Sequence, residues 1–196
     1  MTRTIVSPSL ELTWEQHQRR WTNCSRCPIG DLCNKHVLGR GKLPAHALFI
    51  GEAPGPSEDS IGYPFVGRSG KILDSLIADC QLCVGIFSYY ITNTIACYPS
   101  DPESDKGFRA PDPRELEECR ERVTHVLEMC KPERLVYVGK VAAELDKIWL
   151  AQPAVADLLL PDKRIVIYHP SYLLRRGGKN SLEYKQTLQD LRKFMR

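Results

Sequence analysis

The chain has 196 residues, 42 % hydrophobic and 26 % charged, with a formal net charge of +3. That length suits a single domain with a full hydrophobic core, so residues 1–196 are read as one domain. No stretch approaches the roughly 18 apolar residues of a membrane span, and the opening MTRTIVSPSLELTWEQ has no charged segment followed by an apolar run, which argues against a secretory signal.

In chain order, 13–22 (TWEQHQRRWT) reads as a short helix. Residues 46–51 (HALFIG), 89–97 (YYITNTIAC), 134–139 (RLVYVG) and 164–169 (RIVIYH) are short runs rich in β-branched or aromatic residues, and each reads as a buried strand. Between them, 70–79, 112–131 and 140–150 carry apolar residues at helical spacing, with Asp112-Pro113 as a helix start. Residues 182–196 form a closing amphipathic helix. Strands alternating with helices predict an α/β fold with helices on both faces of a parallel sheet. Sites in such sheets form at the carboxyl ends of the strands. That rule selects GEAPG (51–55), Asn93 to Pro99, Gly139-Lys140, and the HPSYLLRR stretch beginning at His169. Residues 98–113 are a polar, Pro-rich connection inside the domain rather than a boundary.

Charge is unevenly spread. Residues 161–196 hold nine Lys/Arg against three Asp/Glu, so this end is +6 and the remainder −3. A basic end on a near-neutral body points to a polyanion partner as readily as to a solvated helix face. Two nucleotide signatures fail. Gly70-Lys71 lacks the earlier glycine (position 65 is Phe) and the following Ser/Thr (position 72 is Ile) of a P-loop, and Gly39-Arg40-Gly41 lacks the third glycine of a dinucleotide fingerprint.

Without a secretory signal the expected setting is reducing, cytoplasmic or nucleoid-associated. The eight cysteines then read as metal ligands or core thiols rather than disulfides. Cys24-x2-Cys27 is half a metal site. Its partners must come from Cys33, Cys80, Cys83, Cys97, Cys119 and Cys130, and Cys80-x2-Cys83 would complete a four-cysteine zinc site. Spacing alone leaves zinc and iron–sulfur both open.

Four motifs follow the C-x2-C pair in order: GEAPG with Glu58-Asp59, PFVGRSG (64–70), N-x3-C-x-P (Asn93 to Pro99) and HPSYLLR (His169 to Arg175). In this the chain resembles the family 4 uracil-DNA glycosylases from about residue 20 to its end. The resemblance implies a three-layer α/β/α sandwich around a four-stranded parallel sheet. It implies a [4Fe–4S] cluster on Cys24, Cys27, Cys97 and Cys119, leaving Cys33, Cys80, Cys83 and Cys130 as non-ligands. It implies release of uracil from single- or double-stranded DNA, with an abasic site left behind, by a monomer with no membrane partner. The connection between Cys97 and Cys119 is long for that family, and 150–163 departs from the usual approach to the HPS strand.

That chemistry assigns roles to residues. The nucleotide must be flipped out of the stack, so Leu173-Leu174 is expected to wedge between bases while Ser171, Arg175 and Arg176 meet phosphates. Phe65 offers a stacking face, and the Asn93 amide can donate to uracil O4 and accept from N3–H. His169 can donate to O2 as negative charge develops there, with the Ala53 N–H as a second donor. Glu52 is expected to stabilise the sugar cation and orient water, and Glu58 to wall off the thymine methyl group. Rival expectations are a glycosylase of broader base specificity, a catalytically silent DNA-binding module, and a zinc protein on Cys24, Cys27, Cys80 and Cys83.

Overall fold

The first helix starts where its cap is written. Thr13 and Gln16 form a reciprocal capping box, with Gln16 N donating to Thr13 Oγ1 (3.2 Å) and Thr13 N to Gln16 Oε1 (2.8 Å). A computed structural model of the chain describes residues 13–101, 103, 107–144 and 161–196. Its elements are α1 (Trp14–Trp21), β1 (Arg40–Gly41), β2 (Ala47–Gly51), α2 (Pro56–Ile61), α3 (Arg68–Val84), β3 (Tyr89–Asn93), α4 (Pro113–Cys130), β4 (Arg134–Val138), α5 (Lys140–Glu144), β5 (Arg164–Ile167), α6 (Pro170–Arg175) and α7 (Leu182–Phe194). The later part of the helix expected over 140–150, and most of 150–163, lie outside the described residues.

The four expected strands pair in parallel, in the order β3-β2-β4-β5. A fifth, β1, joins antiparallel on the β3 edge, with Arg40 opposite Ile91. The sheet is therefore five-stranded and mixed. Two residues carry no periodic signal, which is why β1 was not expected. β3 is also shorter than the apolar run 89–97. The chain leaves the ladder at Thr94, whose N–H turns to Gly51 O (2.8 Å) and Glu52 O (3.1 Å).

Strand β2 is buried throughout, and its alternation divides the core. Leu48 and Ile50 point to one face, where they meet Val123, Val126 and Leu127 of α4. Ala47 and Phe49 point to the other, against Leu73 and Ile77 of α3 and Leu191 of α7. Both faces are thus covered, giving three layers, and each fully buried Leu or Ile contributes roughly 1.5–3 kcal/mol. A third cluster joins Trp21, Ile29, Leu38, Ile95 and Leu116 with Cys27, Cys97 and Cys119 beyond the ends of β2 and β3. Among the described residues no helix is long and apolar enough to cross a membrane.

The basic C-terminal end is partly used internally. Asp79 of α3 accepts from Lys179 Nζ (2.9 Å) and Tyr184 Oη (2.7 Å), while its carbonyl accepts from Arg192 (3.1 Å). These contacts hold α7 against α3.

Candidate active site

Parallel pairing sets Gly51 beside Asn93, so Glu52 and Asn93 emerge together at the carboxyl ends of neighbouring strands. The Glu52 carbonyl is held by Thr94 N and by the Thr94 hydroxyl. Position 51 must be glycine for this approach. A Cβ there would lie 2.6 Å from the Phe65 ring and collide with Asn93 Oδ1.

PFVGRSG is built around a strained aromatic. Phe65 adopts φ = +54°, the left-handed region that bulky residues avoid. Its neighbours hold it there. Arg40 Nε donates to Pro64 O (2.8 Å) and an Arg40 terminal nitrogen to Phe65 O (3.3 Å), while the same guanidinium pairs with Asp74 at 2.6 Å. At Gly70 the first turn of α3 packs onto the Phe65 main chain so closely that a Cβ would overlap the Phe65 carbonyl. The ring consequently faces His169, with centroids 6.3 Å apart and planes tilted 40°.

His169 follows β5 and caps α6. Its Nδ1 accepts the Ser171 main-chain N–H at 3.2 Å, and the Ser171 hydroxyl lies 2.7 Å from the same nitrogen. A ring nitrogen that accepts carries no proton, so the neutral imidazole bears its hydrogen on Nε2. Burial, helped by the Arg175 charge, holds the His169 pKa below the usual histidine value and favours that neutral ring. Burial also raises the Glu52 carboxyl above the ordinary range. Asn93 is 1 % exposed, and its Oδ1 has no partner among the described residues. A buried acceptor left unpaired is costly, on the order of 1–3 kcal/mol.

Glu52, Ala53, Phe65, Asn93 and His169 line one cavity of about 350 Å³, together with Glu58 and Ser171. The sequence-chosen pocket residues are brought together, but several have other partners than expected. Glu58 is buried, and its carboxylate accepts from Gly55 N (3.1 Å), Val66 N (2.9 Å) and Gly67 N (2.9 Å). Expected as a wall against a methyl group, Glu58 does line the cavity, and it also acts as a clamp that fastens the Phe65 loop to the start of α2. Asp59 accepts from Asn34 and Lys35 and is no solvated charge. Leu173 is fully buried against Leu76 and Tyr184, so the wedge expected of Leu173-Leu174 is left to Leu174, which is exposed. The helical turn of α6 sends neighbouring side chains in different directions, and Leu173 takes the inward one. Arg175 is exposed, whereas Arg176 Nε is engaged by Glu183 at 2.7 Å, and the Ser171 hydroxyl is turned to His169 rather than outward.

The cysteines divide cleanly. Cys80 lies in the α3 core and Cys83 is exposed, while Cys24, Cys27, Cys97 and Cys119 gather in or against the third cluster, which removes the expected Cys24/Cys27/Cys80/Cys83 zinc set. None of the eight forms a disulfide. Burial, then the nearby Cys119, push the Cys27 thiol up to about 11, and contact with Cys33 and burial raise Cys97. Such crowding of sulfurs in an apolar setting fits a metal centre, whose positive charge would hold them as thiolates. Cys33 joins them. Its Sγ and the ligand atoms of His36 and Cys97 lie within 4.8 Å of one another.

Three participants have no signature in the sequence. Arg122 is fully buried, and its guanidinium donates to Leu38 O (3.3 Å), Thr92 Oγ1 (3.1 Å), Thr94 O (3.2 Å) and the Asn93 carbonyl. It holds the end of β3 where Asn93 sits. Tyr98 and Phe108, from the polar connection, line the cavity. An aromatic in an otherwise polar loop was the only available hint.

Residues 38–192 match the model of the uracil DNA glycosylase superfamily. The chain is similar to the type-4 uracil-DNA glycosylase of Archaeoglobus fulgidus, 32 % identical with 81 % of each chain covered. It is similar to that of Thermotoga maritima, 31 % identical over 89 % of this chain and 88 % of the relative. With the strand-end pocket and the cysteine cluster described, these likenesses establish that the chain belongs to the type-4 uracil-DNA glycosylases, hydrolases of N-glycosyl bonds.

Proposed function

We propose that the cavity receives a uridine flipped out of DNA and that this chain's residues divide the work of cleaving its glycosidic bond. The single observation that carries the reading is the buried, unpartnered Asn93 Oδ1, in one cavity with a histidine whose proton is on Nε2. Uracil offers a donor at N3–H and acceptors at O4 and O2, so Asn93 takes N3–H on Oδ1 and gives its amide N–H to O4. Cytosine has no N3–H and carries a donor in place of O4, so the same amide rejects it. The Phe65 ring stacks on the base.

As the bond to N1 breaks, its electron pair moves onto the uracil ring and O2. His169 Nε2–H donates to that oxygen, an interaction stronger in the transition state than in the ground state. The Ala53 N–H is a second donor to the same oxygen. The sugar becomes cationic at C1′, and the Glu52 carboxylate stabilises it and orients the water that adds there. Leu174 fills the space left in the duplex, and Arg175 neutralises phosphate, with Arg176 released from an ion pair that solvent weakens.

Cys24, Cys27, Cys97 and Cys119 would hold a [4Fe–4S] cluster, which supplies a covalent tie between the segment after α1, the turn after β3 and α4. The protein would then be brown, with iron and sulfide in equal amounts. The function is tested with labelled oligonucleotides carrying uracil opposite adenine, opposite guanine or in single strand, and hypoxanthine in a fourth. Alkali reveals abasic sites. Release from the uracil substrates supports the reading. Equal release of hypoxanthine would replace it with a broader base specificity, and tight binding without release would replace it with a silent module.

A further inference from the structure

Phe108 stands apart from the polar stretch that carries it. It is 50 % exposed, yet its ring lines the same cavity as Glu52, Asn93 and His169, so it stands at the mouth of that cavity. A single exposed aromatic ordinarily means little. Here its backbone is fixed from several sides. Ser100 and Phe108 form an antiparallel bridge, flanked by Asp101 N to Gly107 O (3.1 Å) and Arg109 N to Pro99 O (3.1 Å). The Tyr98 hydroxyl donates to Gly107 O at 2.7 Å. The next residue, Arg109, grips the carboxylate of Glu115 through two bonds of 2.5 and 2.9 Å, and Glu115 is 1 % exposed at the start of α4. Residues 107–109 are thus fastened to 98–101 and to α4, and Phe108 stays half exposed among them.

From this geometry we infer that Phe108 is a nucleobase-stacking subsite, which takes the base next to the flipped uridine on the same strand. The inference rests on the proposed uracil pocket. Phe65 already serves the base inside, so the ring at the rim meets what remains outside. Flipping a nucleotide strips its neighbour of one stacking partner, and an aromatic ring can replace it for any base because every base has a π-face. Charge plays little part, since the adjacent Arg109 is neutralised by Glu115. A backbone already fixed on both sides of Phe108 lowers the freedom lost on binding.

The test compares wild-type protein, Phe108→Ala and Phe108→Trp on two single-stranded oligonucleotides. Both carry one uracil; in the second, both flanking nucleotides are abasic analogues. Affinity is read by fluorescence anisotropy and excision separately in single turnovers. Phe108→Ala should weaken binding to the first oligonucleotide by about 5- to 150-fold, the range for one base–aromatic stack. It should leave binding to the second unchanged, and Phe108→Trp should restore affinity. An equal loss on both oligonucleotides, or no loss on the first, overturns the subsite. Wild-type protein that binds but releases no uracil counts against the proposed reaction alone, because affinity is read independently.

Discussion

The Ser171 main-chain N–H donates to His169 Nδ1 over 3.2 Å, and this bond decides which ring nitrogen carries the proton. The Ser171 hydroxyl, 2.7 Å from the same atom, can donate as well but is not required for the choice. His169→Ala should therefore lower single-turnover uracil release by about 10²–10³-fold with DNA binding kept. Ser171→Ala retains the backbone donor and should cost only about fivefold, the worth of one ordinary hydrogen bond near 1 kcal/mol. A loss from Ser171→Ala as large as that from His169→Ala would contradict the division.

The proposed reaction needs Glu52 ionised and His169 neutral, and both are deprotonated states. Activity should rise with pH and then level. Burial raises the Glu52 pKa, so its acid limb lies above that of an ordinary glutamate. Burial lowers the His169 pKa, so the ring is still mostly neutral at pH 6.5, where a free histidine is half charged. In profiles of kcat/KM the histidine limb should lie below the half-point of a free histidine. Glu52→Gln should lose most activity and with it the carboxylate limb of the profile.

The strands were legible because buried parallel strands are continuous apolar runs, and Glu52, Asn93 and His169 were legible because sites gather at strand ends. What stayed hidden depends on directions in space. HPSYLLR does not say which leucine turns inward, and burial of Leu173 answers it. A glutamate in a polar loop reads as a solvated charge, whereas Glu58 binds three main-chain N–H groups. Arg122 likewise reads as the polar face of a helix. Only the fold brings four oxygens around it.

Those oxygens make Arg122 a test of how Asn93 is held. Arg122→Met would take this donor from the Asn93 and Thr94 carbonyls, at about 1–3 kcal/mol for each acceptor left unpaired, while Leu38 O keeps the Thr92 hydroxyl at 2.8 Å. The melting temperature should fall, and discrimination between uracil and cytosine should weaken as the end of β3 loosens. Asn93→Ala should abolish that discrimination with little change in melting temperature. If Arg122→Met melted lower but discriminated as well as wild type, Arg122 would support the fold without positioning Asn93.

His17 gives the clearest prediction for stability. It is fully buried, neither ring nitrogen has a partner among the described residues, and Trp14 stacks on it at 5.3 Å. Burial, then the charges of Arg122 and His125, lower its pKa to about 3 from 6.5. The unfolded chain therefore binds a proton here before the folded one does. The stability due to a neutral His17 is present above pH 6.5 and is lost as pH falls from there towards 3, at up to about 1.4 kcal/mol per pH unit. His17→Phe keeps an aromatic ring against Trp14 and removes an unpaired N–H whose burial costs about 1–3 kcal/mol. The variant should be at least as stable at neutral pH and should lose less stability on acidification. Urea unfolding of both proteins at pH 6.5 and at about pH 4 measures the difference, in which the carboxylates common to both cancel. Parallel losses in the two proteins would exclude His17 as the source.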